Sequence, residues 1–375
     1  MRIRSTFTPA KRTRASLVTI AALAAAAAIV AAPLSAAAAP APSGDRPFGD
    51  RGQSESAPVK PGISHLGTSD GGSWEWARVE GANRYEVAVN LYSPFDSAEV
   101  VYIANGEKYP DALSAGPAAV SQNAGLLLTA QNSLPDVTRE EIKRLHPSKL
   151  VVVGGEASVS AGVYDQLAAL QPDITRIGGA DRYEVSRNII DYAFGETGVS
   201  TVFVATGNNF PDALAAGPAA AHLGGAVLLV NGWGDDLSEP TRQLLSDVNA
   251  QSARIAGGLN SVNDKVEADL RGAVASVSRY DGADRFEVAA NINTSVWPGK
   301  TENAFIASGL VFPDALSSGP VAAYFDAPLF LTATTCYPAA TVHAIWNSAL
   351  NADFLLYVGG PNTLSQQLID DPRYC

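Results

Sequence analysis

Asn209-Phe210-Pro211-Asp212-Ala213-Leu214-Ala215-Ala216-Gly217-Pro218 has two relatives in the same chain, Lys108-Tyr109-Pro110-Asp111-Ala112-Leu113-Ser114-Ala115-Gly116-Pro117 and Val311-Phe312-Pro313-Asp314-Ala315-Leu316-Ser317-Ser318-Gly319-Pro320. Their first prolines, Pro110, Pro211 and Pro313, lie 101 and 102 residues apart. Solenoid repeats are much shorter, so this period marks a small module present in three copies. Two more signals keep the same register. Upstream of each block lie Arg78-Val79-Glu80-Gly81-Ala82-Asn83-Arg84-Tyr85-Glu86, Arg176-Ile177-Gly178-Gly179-Ala180-Asp181-Arg182-Tyr183-Glu184 and Arg279-Tyr280-Asp281-Gly282-Ala283-Asp284-Arg285-Phe286-Glu287. Downstream, an apolar run ends in Gly154-Gly155, Gly257-Gly258 and Gly359-Gly360.

Working outward from Asp212, the second copy alternates strand and helix. Asp173 to Ile177 reads as a short strand, and Asp181 to Glu184 as a capping box that opens a helix. Strands follow at Thr201 to Ala205, Ala226 to Val230 and Ala253 to Ala256, and helices start at Asp212, which reads as a cap, at Glu239 and at Val262. Alternation of this kind predicts an α/β fold with parallel sheets and helices on the faces. Runs such as Leu126-Leu127-Leu128 and Leu150-Val151-Val152-Val153 fit strands covered on both sides. The helix that begins at Pro-Asp is rich in Ala, Ser and Gly, which lets it lie close to its sheet, and its internal Pro costs a backbone bond and predicts a kink. The resulting modules span 74–173, 174–275 and 276–375, the first led by a strand at Trp74 to Val79.

Residues 1–39 read as an export signal: Arg2, Arg4, Lys11, Arg12 and Arg14 precede an apolar run, Pro33 ends that run short of a membrane span, and small residues follow. Residues 40–73 read as a flexible linker, too polar for a domain. Removing residues 1–39 takes away five positive and no negative charges, so the formal net charge of -12 becomes -17. Such acidity argues against nucleic acid and against a polybasic membrane patch as partners. In an exported chain the two cysteines, Cys336 and Cys375, are expected to form a disulfide.

The residues offer no catalytic set, metal site or cofactor motif. His65, His146, His222 and His343 occupy unrelated positions in the copies, and no phosphate loop, nucleophile elbow or His-x-x-x-His pair occurs. Asp111, Asp212 and Asp314 recur, as do Glu86, Glu184 and Glu287, where helix capping alone would place them. The arginine pairs Arg78 and Arg84, Arg176 and Arg182, and Arg279 and Arg285 are harder to assign. The second of each pair enters the first turn of a helix, where the helix dipole disfavours a cation unless an anion answers it. That anion is either a neighbouring carboxylate or a ligand phosphate or carboxylate. Gly155, Gly258 and Gly360 fall in loops at the C-terminal ends of strands, the usual ligand side of a parallel sheet.

Taken together, these blocks resemble three tandem copies of the type 2 cell-wall-binding repeat of Gram-positive surface proteins, from about residue 74 to the C-terminus. The resemblance implies Toprim-like α/β modules about a pseudo-threefold axis. It implies a secreted or wall-located protein that attaches non-covalently to an anionic wall polymer, such as a teichoic-acid-like chain. The family pattern falls on Arg84, Arg182 and Arg285 and on Asp111, Asp212 and Asp314. The copies differ at Asn83, at Tyr109 and at Val230, where the others have Thr129 and Thr332. Two other classes remain open: a peptidoglycan hydrolase of the N-acetylmuramoyl-L-alanine amidase type, and an adhesin that binds other proteins.

Overall fold

The computed structural model describes residues 63–68, 75–370 and 373–375, so the reading of 1–39 as an export signal, and most of the linker, lies outside it. The linker reading needs one correction. Ile63–Thr68 (β1) is a strand, antiparallel to Glu75–Val79 (β2), with Ile63 opposite Val79 and Thr68 opposite Glu75. Pairing with an otherwise open strand edge outweighs the weak local preference of this segment.

The first copy continues with α1 (Arg84–Leu91), β3 (Val100–Asn105), α2 (Pro110–Ser121), β4 (Gly125–Thr129), α3 (Asp136–Leu145), β5 (Lys149–Val153) and α4 (Ala161–Leu170). The second comprises β6 (Ile174–Ile177), α5 (Arg182–Phe194), β7 (Thr201–Thr206), α6 (Pro211–His222), β8 (Ala226–Val230), α7 (Glu239–Asp247), β9 (Ser252–Ala256) and α8 (Asp264–Ala273). The third comprises β10 (Ser276–Tyr280), α9 (Arg285–Val296), β11 (Asn303–Ser308), α10 (Pro313–Tyr324), β12 (Leu329–Thr332), α11 (Ala339–Val342) running into a π-helical turn at His343–Asn347, β13 (Phe354–Val358) and α12 (Gln366–Asp370). The predicted alternation is therefore present, and Leu126 to Leu128 and Val151 to Val153 are completely buried, as strands covered on both faces must be.

The sheets are offset from the sequence repeats by one strand. Their orders are β4-β3-β5-β6, β8-β7-β9-β10 and β1-β2-β13-β11-β12. The leading strand of the second copy, β6, pairs in parallel with β5 of the first, and β10 of the third pairs with β9 of the second. The circle closes at the N-terminus, where β2 pairs in parallel with β13, Phe354 opposite Glu75 and Val358 opposite Val79. Trp76 packs edge-on against Tyr357 at 6.0 Å between ring centroids, joining the first copy to the third.

At the centre, α2, α6 and α10 pack against one another. Their small residues permit this closeness: a Cβ added at Gly116 would lie 3.7 Å from Pro320 Cγ, and one at Gly319 3.7 Å from Pro218 Cδ. Each helix continues without a break through its internal proline. At their N-terminal ends Tyr109, Phe210 and Phe312 form a nearly equilateral triangle, with centroids 5.5, 5.7 and 5.6 Å apart, and this triangle marks the pseudo-threefold axis. Cys336 and Cys375 form the expected disulfide. Backbone bonds between Tyr337 and both Arg373 and Cys375 hold the same tail in place.

Candidate functional site

Asn83, Asp181 and Asp284 each cap their helix, the side chain accepting from the backbone N–H groups two and three residues further on. Glu86, Glu184 and Glu287 complete the box by accepting from the N–H of Ala82, Ala180 and Ala283 at 2.8, 2.7 and 2.7 Å. These caps hold the first turn of α1, α5 and α9 so that Arg84, Arg182 and Arg285 reach sideways. Each donates Nη1 to the carbonyl of Gly106, Gly207 or Gly309, at the end of its own copy's central strand, at 2.6, 2.5 and 2.8 Å. Each guanidinium also lies over an aromatic ring of the preceding copy: Arg84 over Phe312 at 5.9 Å, Arg182 over Tyr109 at 5.9 Å, Arg285 over Phe210 at 5.8 Å. Tyr109 adds a hydroxyl to this contact, accepting from Arg182 Nη1 at 3.3 Å and donating to Asn208 O at 3.1 Å.

The aspartates require a correction. Asp111, Asp212 and Asp314 follow Pro inside the first turn, the N-cap positions are Tyr109, Phe210 and Phe312, and none of these makes a side-chain capping bond. The carboxylates instead accept from Ser158 at 2.5 Å, Ser261 at 2.6 Å and Thr363 at 2.9 Å, tying the helix to the double-glycine loop. Burial pushes all three carboxyls above their ordinary range, opposed by that hydroxyl bond and by the arginine of the next copy, Arg182, Arg285 or Arg84 respectively.

Gly154, Gly257 and Gly359 have φ of 100°, 108° and 127°. A Cβ on any of them would come within 2.5 Å of the aspartate Oδ2. The second glycines are freer: the nearest neighbour of an added Cβ is 3.7 Å away at Gly155, 3.9 Å at Gly258 and 3.6 Å at Gly360. They face the loop that leads into the next copy.

The first arginine of each pair points inward. Arg78 is fully buried, gives Nη2 to Leu364 O at 2.8 Å and lies 3.6 Å from Glu80. Arg176 gives Nη1 to Gly154 O at 2.9 Å over the Tyr164 ring, and Arg279 gives Nη1 to Gly257 O at 2.7 Å while Nε and Nη2 hold Glu267. These three brace the double-glycine loops and the sheet ends. Among the described residues no acceptor meets Nε or Nη2 of Arg84, Arg182 or Arg285, a condition Arg176 shares, but only the second arginines lie beside the aspartate of the preceding copy.

Each seam thus joins one copy's aspartate, hydroxyl and double glycine to the next copy's arginine. The seam between the first two copies is a cleft of about 400 Å³ that includes Lys108, Tyr109, Asp111, Gly155, Ser158 and Arg182. It opens at the C-terminal ends of the strands. Ser158, Ser261 and Thr363 and the aromatic triangle were missed by the sequence reading, although each recurs with the period, the hydroxyls four residues after the first glycine. Among the described residues, no group of three His, Cys, Asp or Glu side chains is placed to hold a metal ion. Within the same residues, no helix is long and apolar enough to cross a membrane.

The model of cell wall binding domain 2 matches residues 78–164, 176–267 and 279–369. The chain belongs to the cell wall binding domain 2 family. Among solved structures with this fold, Cwp6 from Clostridium difficile superposes with a TM-score of 0.72 at 27% identity over 84% of this chain and 49% of that one. Cwp8 from the same organism gives 0.71 at 27% identity over 80% and 52%. Among curated proteins, the N-acetylmuramoyl-L-alanine amidase LytC of Bacillus subtilis (strain 168) is 31% identical over 68% of this chain and 50% of its own length. The Amidase enhancer of the same organism is 28% identical over 78% and 39%. The chain therefore spans about half or less of these relatives, and the domain 2 repeats are what it shares with its family.

Proposed function

We propose that this is an exported protein that attaches non-covalently to an anionic secondary polymer of the cell wall through its three seams. Arg84, Arg182 and Arg285 supply the grip, with Asp111, Asp212 and Asp314 and the loops at Gly155, Gly258 and Gly360 shaping the clefts around it. The observation that carries this reading is that these three guanidiniums are positioned by one nitrogen while Nε and Nη2 have no acceptor among the described residues. A guanidinium fixed in this way is prepared for an anion at little further entropic cost. Arg78, Arg176 and Arg279 contribute indirectly by bracing the loops.

With a formal charge of -12 the chain repels a polyanion at a distance, so attraction acts only within a Debye length, about 8 Å at physiological salt. Labelled protein should stay on intact walls and wash off walls stripped of their secondary polymer. Equal retention on both would overturn the proposal.

Turnover is the reading that LytC would favour, but its name describes a protein of which this chain matches half. We propose binding without hydrolysis. Incubation with peptidoglycan is expected to release no free amines above the buffer blank, and steady release would contradict it.

A further inference from the structure

The three seams are not equivalent, and the largest difference lies at the second. Six residues separate Val230 from Leu237, whereas four separate Thr129 from Leu134 and four separate Thr332 from Tyr337. The longer loop carries Trp233, whose side chain is 65% exposed, the most exposed large apolar side chain among the described residues. An indole so placed is ordinarily free to swing, but this one is fixed. Its Nε1–H donates to Asn260 O at 2.8 Å and its backbone N–H to Asn231 Oδ1 at 3.3 Å.

The rest of the loop is fastened to the segment beside the Asp212 hydroxyl partner. Asn263 N–H donates to Gly232 O at 2.9 Å and Asn263 Nδ2 to Gly234 O at 2.8 Å. A Cβ at Gly232 would collide with Ser261 O at 1.9 Å, so the loop lies directly on the residue that holds Asp212. The exposed ring is therefore part of the rim of the second seam. Around it the polar groups are amides: Asn208 Nδ2 donates to Asn231 Oδ1 at 3.1 Å, and Asn260, which accepts the indole bond, is exposed. The charges in the loop itself are Asp235, paired with Lys265 at 2.5 Å, and the exposed Asp236.

We propose that Trp233 is a stacking platform for an uncharged pyranose residue of a wall glycan, present at the second seam and at neither of the others. This deepens, and rests on, the reading of the seams as wall-polymer sites. A pyranose presents a face of C–H groups bearing slight positive charge, which matches the negative face of an indole. A ring already immobilised loses little entropy on contact. Neighbouring side-chain amides supply both donors and acceptors for sugar hydroxyls. With Asp235 compensated by Lys265, the unpaired Asp236 disfavours a phosphate or uronate at this position, which selects a neutral unit. Position 233 has no counterpart in the shorter loops, Ala130 to Ser133 and Ala333 to Cys336, and neither of these contains an aromatic residue.

The test uses the full chain and two probes prepared from the same walls and separated by anion exchange, a neutral oligosaccharide fraction and the anionic polymer. The indole N–H resonance of Trp233, assigned by its loss in Trp233→Phe, is followed during titration. The neutral fraction should shift it, Trp233→Ala should weaken binding of that fraction by about ten-fold, and Trp233→Phe should retain most of it. High salt should leave this binding unchanged. A resonance unmoved by the neutral fraction, or Trp233→Ala binding it as tightly as the parent, would overturn the proposal. Failure of the underlying reading looks different: the parent protein would then fail to hold the anionic polymer.

Discussion

Gly154 and Gly155 are adjacent, yet a methyl group on each should have very different consequences. At Gly154 the backbone is left-handed and a Cβ would lie 2.3 Å from Asp111 Oδ2, whereas at Gly155 it would meet only Gly179 O at 3.7 Å. Gly154→Ala should cost about 2 kcal/mol in denaturant unfolding, and Gly155→Ala should stay within about 0.5 kcal/mol of the parent. The aspartates give a pH test. Burial raises their folded-state pKa above the ordinary 3.8, so the stability they contribute is complete below 3.8 and is lost as pH rises through the raised value. The triple variant Asp111→Asn, Asp212→Asn, Asp314→Asn keeps an acceptor for each hydroxyl and removes the titration. Its stability should fall less than the parent's between pH 4 and pH 7, and parallel profiles would contradict this. In sequence these aspartates look like helix caps because Pro-Asp at a helix start is the same locally in either case. What distinguishes them is the hydroxyl 47 or 49 residues away.

At the scale of elements, the N-terminal strand β2 belongs to the sheet of the third copy. Deleting residues 1–79 should therefore leave β13 as an open edge and remove the Arg78 bond to Leu364 O. Hydrogen exchange should accelerate in Phe354–Val358 and Asn303–Ser308 while Lys149–Val153 keeps its protection. Loss of protection in the first copy's own sheet instead would refute this assignment. The elements themselves were legible: the strand at Ala226–Val230 falls where it was read, and the one at Thr201–Thr206 runs one residue longer. The exchange of leading strands was not legible, for a simple reason. In a triplicated sequence the period is the same whether a strand joins the sheet of its own copy or of the preceding one. Register carries no trace of that choice until the partners are known. The edge strand Ile63–Thr68 escaped because a neighbour's open edge, more than its own pattern, makes it a strand.

At the scale of the molecule, cyclic exchange of strands turns three copies into a closed ring, and every seam is built from two copies. A single isolated copy would lack either its arginine or its aspartate partner, so two adjacent copies are the smallest unit with a complete cleft, and closing the ring raises the number of clefts to three. For the proposed grip, which is electrostatic and close-range, retention on walls should fall steadily as salt is raised. With direct guanidinium contact it should survive a chelator, and loss on chelation would place a cation between protein and polymer.

The central claim is that polymer occupies the three seams, and hydrogen exchange of the full chain with and without purified anionic polymer tests it most directly. The account predicts slowed exchange at residues 107–111, 155–158 and 179–182 and at their counterparts around the ring, including 81–84 and 359–363 where the first and third copies meet. Slowing confined to the outer helices, such as α3 and α4, with the seam segments unchanged, would contradict it.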